Sequence, residues 1–399
     1  MKRDFTICLL GVLCLFSPGF SNAQNPTHSF IEGYVFNDKN NNGTREKNEE
    51  GIKDVLVSDQ LEIVATNAEG LYRLEHKSDR DYVFVSQPNG YVVKGSFWKS
   101  IGKSPSPSSV DFPLVAAPKS TTFTFIHASD THLSEQSLPR LQKLKSLVDS
   151  LKPAFMLVTG DLIKDALRVS EKEAAGLYEL YVREIGKFAL PVWNVPGNHE
   201  IFGIERHKSL VSESHPLYGK KMYRHYLGPD YYSFSYGGIH FMGLNSVDYH
   251  DLWYYGHIDS VQLNWIKRET SFVNKSTPII TFNHIPFFSA GMTMDEYREE
   301  EPGSILISIN GKKQYRHVVT NAIDVMDILK ATNFPVALGG HYHFSQKFTF
   351  DSDNQKTEFH QSGAVVGPTS GGGFNMPSGV ILYTVVNGKI TDRKFIILK

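Results

Sequence analysis

Cysteine is nearly absent: Cys8 and Cys14 are the only two in 399 residues, and both fall within the first fourteen. Neither a disulfide framework nor a thiolate metal cluster can be built on such a pair. Charge of one sign is lacking as well, since 41 Lys and Arg face 42 Asp and Glu for a formal net charge of −1. That balance argues against a nucleic-acid partner, because phosphate-backbone binding draws on a basic surface. Long apolar runs are missing apart from Phe5 to Phe16, which is too short to span a bilayer comfortably. No Gly-x-Ser-x-Gly motif occurs, so a serine nucleophile on a strand–helix elbow has no signal. No internal repeat is visible.

The short apolar run reads as a secretion leader. Lys2 and Arg3 form a basic start, and Ser21-Asn22-Ala23 makes a small-x-small cleavage site that defines a signal peptide over 1–23. A lipoprotein is disfavoured because Leu13 precedes Cys14, where lipid attachment requires a small residue. Cleavage after Ala23 removes two bases and one acid (Lys2, Arg3 and Asp4), taking the charge from −1 to −2 and leaving no thiol. The chain is expected to be exported, periplasmic or secreted or at the cell surface, without a transmembrane segment once mature.

At 41% hydrophobic and 12% aromatic, the remainder has ample material for folded cores. Residues 24–115 read as an all-β module: Phe30 to Phe36, Val55 to Val57, Leu61 to Ala65, Leu71 to Leu74, Tyr82 to Val85 and Tyr91 to Val93 are short apolar runs separated by Gly-containing turns. Gly102 to Pro113, rich in Pro and Ser, reads as an irregular connector. Within 116–399 the pattern changes. Strands at Phe123 to Ala128, Phe155 to Val158, Val192 to Val195, Pro278 to Phe282 and Val336 to Leu338 alternate with helices. Leu138, Leu141, Leu144, Leu147, Val148 and Leu151 fall at helical spacing, Ser170-Glu171-Lys172-Glu173 is a capping box, and another helix is expected near Ala322 to Ala331. Alternation of this kind predicts a layered α/β domain.

Each of those strands runs into a polar motif. They are Asp130-x-His132, Gly160-Asp161, Gly197-Asn198-His199-Glu200, Asn283-His284 and Gly340-His341-x-His343. Ligands gather outside the carboxyl ends of strands in open α/β sheets, so these side chains are expected on one rim. Nitrogen and oxygen donors without sulfur suit Zn, Mn or Fe. In extended backbone, alternate residues of an Asp-x-His or His-x-His point the same way.

This order of motifs resembles that of calcineurin-like metallophosphoesterases, over roughly residues 120–345. Tyr231-Tyr232-Ser233-Phe234, Gly238-Ile239-His240-Phe241 and Gln262-x-x-Trp265 look like further elements of the same pattern. The resemblance implies a four-layer α/β/β/α sandwich with two divalent transition metals (Mn, Zn or Fe). Asp161 would bridge them. Asp130, His132 and His343 would hold one metal, and Asn198, His284 and His341 the other. His199 would stay unligated near the leaving group, with Asp165 a candidate to orient it. The implied activity is hydrolysis of phosphomono- or diesters by a metal-bridging hydroxide. No arginine neighbours the Gly-Asp or Gly-Asn-His motifs, which disfavours protein Ser/Thr phosphatases. Lys164 stands where purple acid phosphatases need Tyr, and reads as a solvated loop lysine.

A second metal signal lies in the β module. Asp38-x-Asn40-x-Asn42-Gly43-Thr44-x-Glu46-x-x-Glu49 matches the twelve-residue calcium-loop pattern, with Thr44 at the backbone-carbonyl position and Glu49 as the bidentate carboxylate. Its surroundings resemble calcium-binding B-type repeats of surface adhesins. Two further segments are candidates to shape a substrate site: the insertion from Phe287 to Thr320, with Tyr297, Glu299, Glu300 and Glu301, which reads equally as a peripheral excursion or a substrate lid, and the turn from Gly367 to Gly379, with Phe374 and Asn375, for which a place away from the metals is the alternative. The rival reading is a cell-surface binding protein with an inactive phosphoesterase-like domain. The complete set of metal-competent side chains speaks against it.

Overall fold

A computed structural model describes residues 29–76, 81–102, 109–294, 305–352, 355–371 and 374–399. The leader, Tyr297, Glu299, Glu300 and Glu301 lie outside these residues. The N-terminal strands are β1 (Ser29–Asn37), β2 (Leu56–Ser58), β3 (Ile63–Ala65), β4 (Leu71–His76), β5 (Tyr82–Val85), β6 (Tyr91–Val93), β7 (Trp98–Ser100) and β8 (Phe112–Ala116). They form two four-stranded sheets, β4-β1-β8-β6 and β3-β2-β5-β7. Ile31, Val35, Val57, Leu74, Val83 and Phe112 are buried together in this module's core.

Beyond it run β9 (Thr122–Ala128), α1 (Leu138–Leu151), β10 (Phe155–Thr159), α2 (Glu171–Ile185), β11 (Val192–Val195), α3 (Arg206–Ser209), α4 (Lys221–Leu227), β12 (Tyr232–Tyr236), β13 (Ile239–Gly243), β14 (Val247–His250), β15 (Trp253–Gly256) and α5 (Ser260–Phe272). There follow β16 (Pro278–Phe282), β17 (Leu306–Ile309), β18 (Lys312–Tyr315), α6 (Ala322–Leu329), β19 (Asn333–Gly339), β20 (Gln346–Ser352), β21 (Gln355–Gln361), β22 (Thr369–Gly371), β23 (Phe374–Met376), β24 (Gly379–Val386) and β25 (Lys389–Ile397). Two mixed sheets carry the domain, ordered β11-β10-β9-β24-β25 and β12-β13-β16-β19-β21-β20. The strands that lead into the polar motifs run parallel to one another within each sheet: β9, β10 and β11 in one, β16 and β19 in the other, where β13 is also parallel to β16.

The sheets pack face to face through aromatic side chains. Trp193 of the first sheet stacks on Phe234 of the second at 4.1 Å, and Phe155 stands edge-on to Phe234 and Phe241 at 5.4 and 5.3 Å, while Phe125 stacks on Phe155 (5.2 Å) and Tyr383 (4.8 Å) within the first sheet. On the outer face of the first sheet, α1 and α2 bury Leu141, Leu144, Val148, Tyr178 and Tyr181 against Ile126, Met156 and Val158. Helix α1 covers the residues its leucine spacing predicts. Helix α2 starts where its capping box predicts, with Ser170 as N-cap, its Oγ accepting from the Glu173 amide at 3.4 Å. Trp265 and Ile266 of α5 and Val325 and Leu329 of α6 belong to the core of the second sheet. The result is the expected layered α/β domain behind an all-β region. Among the described residues no helix is long and apolar enough to cross a membrane.

The two regions meet in a shared hydrophobic seam. Ile63 and Phe84 of the β module are buried in the same cluster as Trp193, Tyr231 and Phe234. Phe97 lies 4.8 Å from the Tyr232 ring and 5.1 Å from Trp193. Polar contacts fix the register. Gln60 donates to Tyr231 O (2.8 Å) and Asp230 Oδ1 (3.1 Å), Ser235 N donates to Gln87 O (2.7 Å), and Trp265 Nε1 donates to Ser58 Oγ (3.2 Å).

Asp230 anchors this interface. Buried, it takes a two-pronged ion pair from Arg224 (2.9 and 3.0 Å) and a bond from Asn245 Nδ2 (2.8 Å). Burial alone would raise its pKa, but Arg224 overcomes that and holds the carboxyl well below the usual range. Because the folded value is depressed, the stabilisation is complete above the unfolded carboxyl pKa, near 4, and is lost as pH falls through and below it. Removing one partner strands a buried charge, so Asp230→Ala is expected to lower stability by about 3–5 kcal/mol at pH 7. Urea denaturation checks this: the gap between wild type and variant should narrow between pH 5 and pH 3. A variant as stable as wild type at pH 7 would discount the pair.

Candidate metal centre

The polar motifs meet where the two sheets present their strand ends. Loops from β9, β10 and β19 turn sharply, and five polar residues take left-handed backbone there: Asp130 (φ 54°), His132 (38°), Asp161 (49°), His341 (74°) and His343 (59°). Such conformations cost of order 1 kcal/mol or more each and persist only when the surroundings over-determine them. Close packing of the loops does so. A Cβ at Gly160 would lie 2.6 Å from His284 Cβ and 2.7 Å from Gly197 Cα, and one at Gly197 would lie 2.2 Å from the Asp161 amide. Only glycine lets the Gly-Asp and Gly-Asn-His loops touch.

Three donor clusters result: Asp130, His132 and His343; His132, Asp161 and His199; Asp161, His284 and His341. Asp161 belongs to two of them. Its Oδ2 lies 3.3 Å from His284 Nε2, 3.6 Å from His132 Nε2 and 3.9 Å from His199 Nε2, while its Oδ1 accepts from the His199 amide at 2.9 Å. Asn198 Oδ1 sits 3.1 Å from His284 Nε2, and His343 Nε2 sits 3.1 Å from Asp130 Oδ1.

The imidazoles are oriented from behind. His284 Nδ1–H donates to Thr159 O (2.8 Å) and His199 Nδ1–H to Lys164 O (2.7 Å), so each turns Nε2 toward the centre. Burial drives Asp161 upward, but His284, His199 and His132 more than reverse this and hold the carboxyl well below its usual range. Burial also pushes His132 down to about 4 and His341 well below its usual value. Against burial, Asp161 raises His284 to about 9 and Asp130 raises His343, so a divalent cation would displace protons from those two rings as it meets the ionised carboxylates. Asp130 Oδ1, fully buried, meets only ring nitrogens, His343 Nε2 at 3.1 Å and His132 Nε2 at 3.9 Å, as fits a metal-directed oxygen.

The sequence was compared with known proteins. A family model described as calcineurin-like phosphoesterase matches residues 123–345, more than half of the chain. The chain belongs to the calcineurin-like phosphoesterase family. A second model, the N terminal of calcineurin-like phosphoesterase, matches residues 39–117. No match is found among curated proteins. Similar solved structures include a dimetal phosphatase from Danio rerio, 15% identical, covering 69% of this chain and 99% of that one with a TM-score of 0.42. They also include GAP50, the anchor in the inner membrane complex of Plasmodium, 14% identical, covering 70% and 85% with a TM-score of 0.41. A third is TT1561 of Thermus thermophilus, 12% identical, covering 70% and 100% with a TM-score of 0.38.

In this phosphoesterase the seven side chains expected to bind metal converge on one centre, with His199 beside them. Asp165 does not orient His199, and that expectation is corrected. Its carboxylate is taken by Arg168 (3.2 Å) and the Leu167 amide (2.8 Å), and the carbonyl of Lys164 does the orienting instead. The C-terminal segment reaches the site earlier than Gly367, where Val365 N and Val366 N donate to Ser129 O and Asp130 O.

Two residues that motif reading leaves without a role matter here. Glu200 is fully buried and clamps the two Gly loops together: Oε1 accepts from the Leu162 and Ile163 amides (2.8 and 3.1 Å) and Oε2 from Gly197 (2.6 Å). His317, in the insertion, places Nδ1 2.7 Å from His341 Nε2.

The loop expected to bind calcium folds as one turn in the β module. Asp38 accepts from the Asn42 and Gly43 amides (3.1 and 2.8 Å), and Asn40 and Asn42 accept from the Asn42 and Thr44 amides (3.0 and 2.7 Å). Glu49 accepts from Lys39 N (2.9 Å) and Glu46 N (3.1 Å).

Each buried amide left unpaired costs about 1–3 kcal/mol. Glu200→Ala orphans three and is expected to cost about 3 kcal/mol or more, with Glu200→Gln losing less. Denaturation midpoints measure both, and unchanged midpoints would remove Glu200 as the clamp.

Proposed function

We propose that this chain is an exported hydrolase that cleaves phosphomono- or diesters at a centre of two divalent transition metals, without a phosphoenzyme. The observation that carries the reading is Asp161, a carboxylate common to two donor clusters. A closed structural zinc site has four ligands of its own and no need of a shared one. Asp130, His132 and His343 would hold one cation and Asn198, His284 and His341 the other, with Asp161 between them. When bound, such cations offset the charge of the phosphoryl oxygens and lower the pKa of water.

The chain's own contribution follows from how its side chains are held. With Nδ1 committed to Lys164 O, His199 has only Nε2 to offer. Its ring stands edge-on to His132 at 4.6 Å. As the imidazolium, with a second proton on Nε2, the ring donates from there to the transition-state charge or to the departing oxygen. The left-handed loops, packed against one another, hold the ligand side chains in place. Export rests on the leader pattern of residues 1–23. The turn from Asp38 to Glu49 is proposed to bind Ca2+ at extracellular concentrations and to stiffen the β module.

The purified chain, assayed on p-nitrophenyl phosphate and bis-p-nitrophenyl phosphate with Mn or Zn, should hydrolyse at least one and carry about two transition metals by elemental analysis. Asp161→Asn is expected to abolish turnover and reduce metal content with the fold intact; unchanged turnover sinks the mechanism. His199→Ala should lower kcat by about 10²–10⁴-fold at unchanged metal content. For the β module, millimolar Ca2+ should raise the melting temperature of wild type and not of Glu49→Gln. Equal response in both would refute the calcium site.

A further inference from the structure

An imidazole binds a cation through one nitrogen only if the proton rests on the other, and that choice is set by what the other nitrogen meets. Thr159 O settles it for His284 and Lys164 O for His199, since a carbonyl can only accept. His341 is turned the opposite way. Its Nδ1 faces the centre, 3.1 Å from His284 Nε2, and its Nε2 points outward to Nδ1 of His317 at 2.7 Å. The two rings lie 21° apart in plane with centroids at 5.0 Å, and the Tyr254 ring stands edge-on to both.

His317 is itself well anchored. It follows hairpin β17–β18 and precedes residues tied to the site's own backbone: Val319 N donates to Pro286 O and Thr320 N to Gly256 O, both at 2.9 Å. Arg316, before it, lies over the Tyr254 ring at 4.7 Å. The insertion between the His284 strand and the His341 strand thus returns to the centre at one imidazole.

We propose that His317 is the positioning residue of His341: its Nδ1 accepts the Nε2 proton, leaving the Nδ1 lone pair of His341 free for a cation, and its ring sets the plane of the ligand. The proposal rests on reading the Asp161, His284 and His341 cluster as a metal site. It makes the insertion part of that site, through a side chain that is not a ligand.

The test compares metal-free wild type, His317→Phe and His317→Asn by calorimetric titration with Mn2+ and Zn2+. Phe keeps an aromatic ring at the position and removes the acceptor, whereas the Oδ1 of Asn supplies an acceptor near the lost Nδ1. Wild type is expected to bind two equivalents. His317→Phe should weaken one of them by roughly 10–100-fold and spare the other, and His317→Asn should recover most of the loss. A merely structural role would weaken both variants alike, and that result overturns the proposal, as does unchanged affinity in His317→Phe. If circular dichroism shows His317→Phe unfolded, His317→Leu takes its place in the same comparison. Wild type that takes up no metal would overturn the centre itself, an outcome distinguishable from the failure of His317 alone.

Discussion

Two carboxylates placed out of water are the constraint on which the site depends. Asp130 and Asp161 are 0% and 2% exposed, and an isolated buried carboxylate would take up a proton rather than stay charged. Asp161 remains ionised because three imidazoles crowd its Oδ2 side and the His199 amide bonds its Oδ1. Asp130 receives the His341 amide on Oδ2. Bringing those groups to the carboxylates requires left-handed turns at five residues, and only loops packed against one another can hold them. The glycines, the Glu200 clamp and the aromatic packing between the sheets all serve that end.

Much of this can be read from residues near one another in the chain. A strand followed at once by a ligand-type side chain is a local pattern, and strands at the heart of the sandwich are apolar enough to be recognised singly. For that reason β16 and α1 fall where the periodicity puts them, and the ligand motifs sit at strand ends as expected. What local pattern cannot carry is which backbone atom ends up beside which ring. Asp165 is a plausible partner for His199 by type and proximity, yet the shorter path goes to the main chain of its neighbour. A carbonyl is present at every position and leaves no compositional trace.

Glu200 and His317 illustrate the same limit from the other side. Glu200 belongs to a legible motif, but its work is done on amides 37 and 38 residues away across two loops, as the Leu162 and Ile163 contacts show. His317 lies in a segment whose aromatic and acidic composition draws attention to other residues, and only the return of hairpin β17–β18 to Gly256 and Pro286 brings it to His341. The short hairpins β14–β15 and β17–β18 have no strong alternation of their own and take shape from what they pack on.

The union of the β module with the phosphoesterase domain bears on how such a chain can be inherited. The two family models divide it between residues 117 and 123, a natural place to cut and rejoin genes. The hydrophobic seam does not respect that cut, because Phe97 is wedged against Trp193 and Tyr232 and Gln60 is bonded across to Tyr231. A phosphoesterase domain that exchanged its β module for an unrelated one would expose an aromatic face with nothing shaped to cover it.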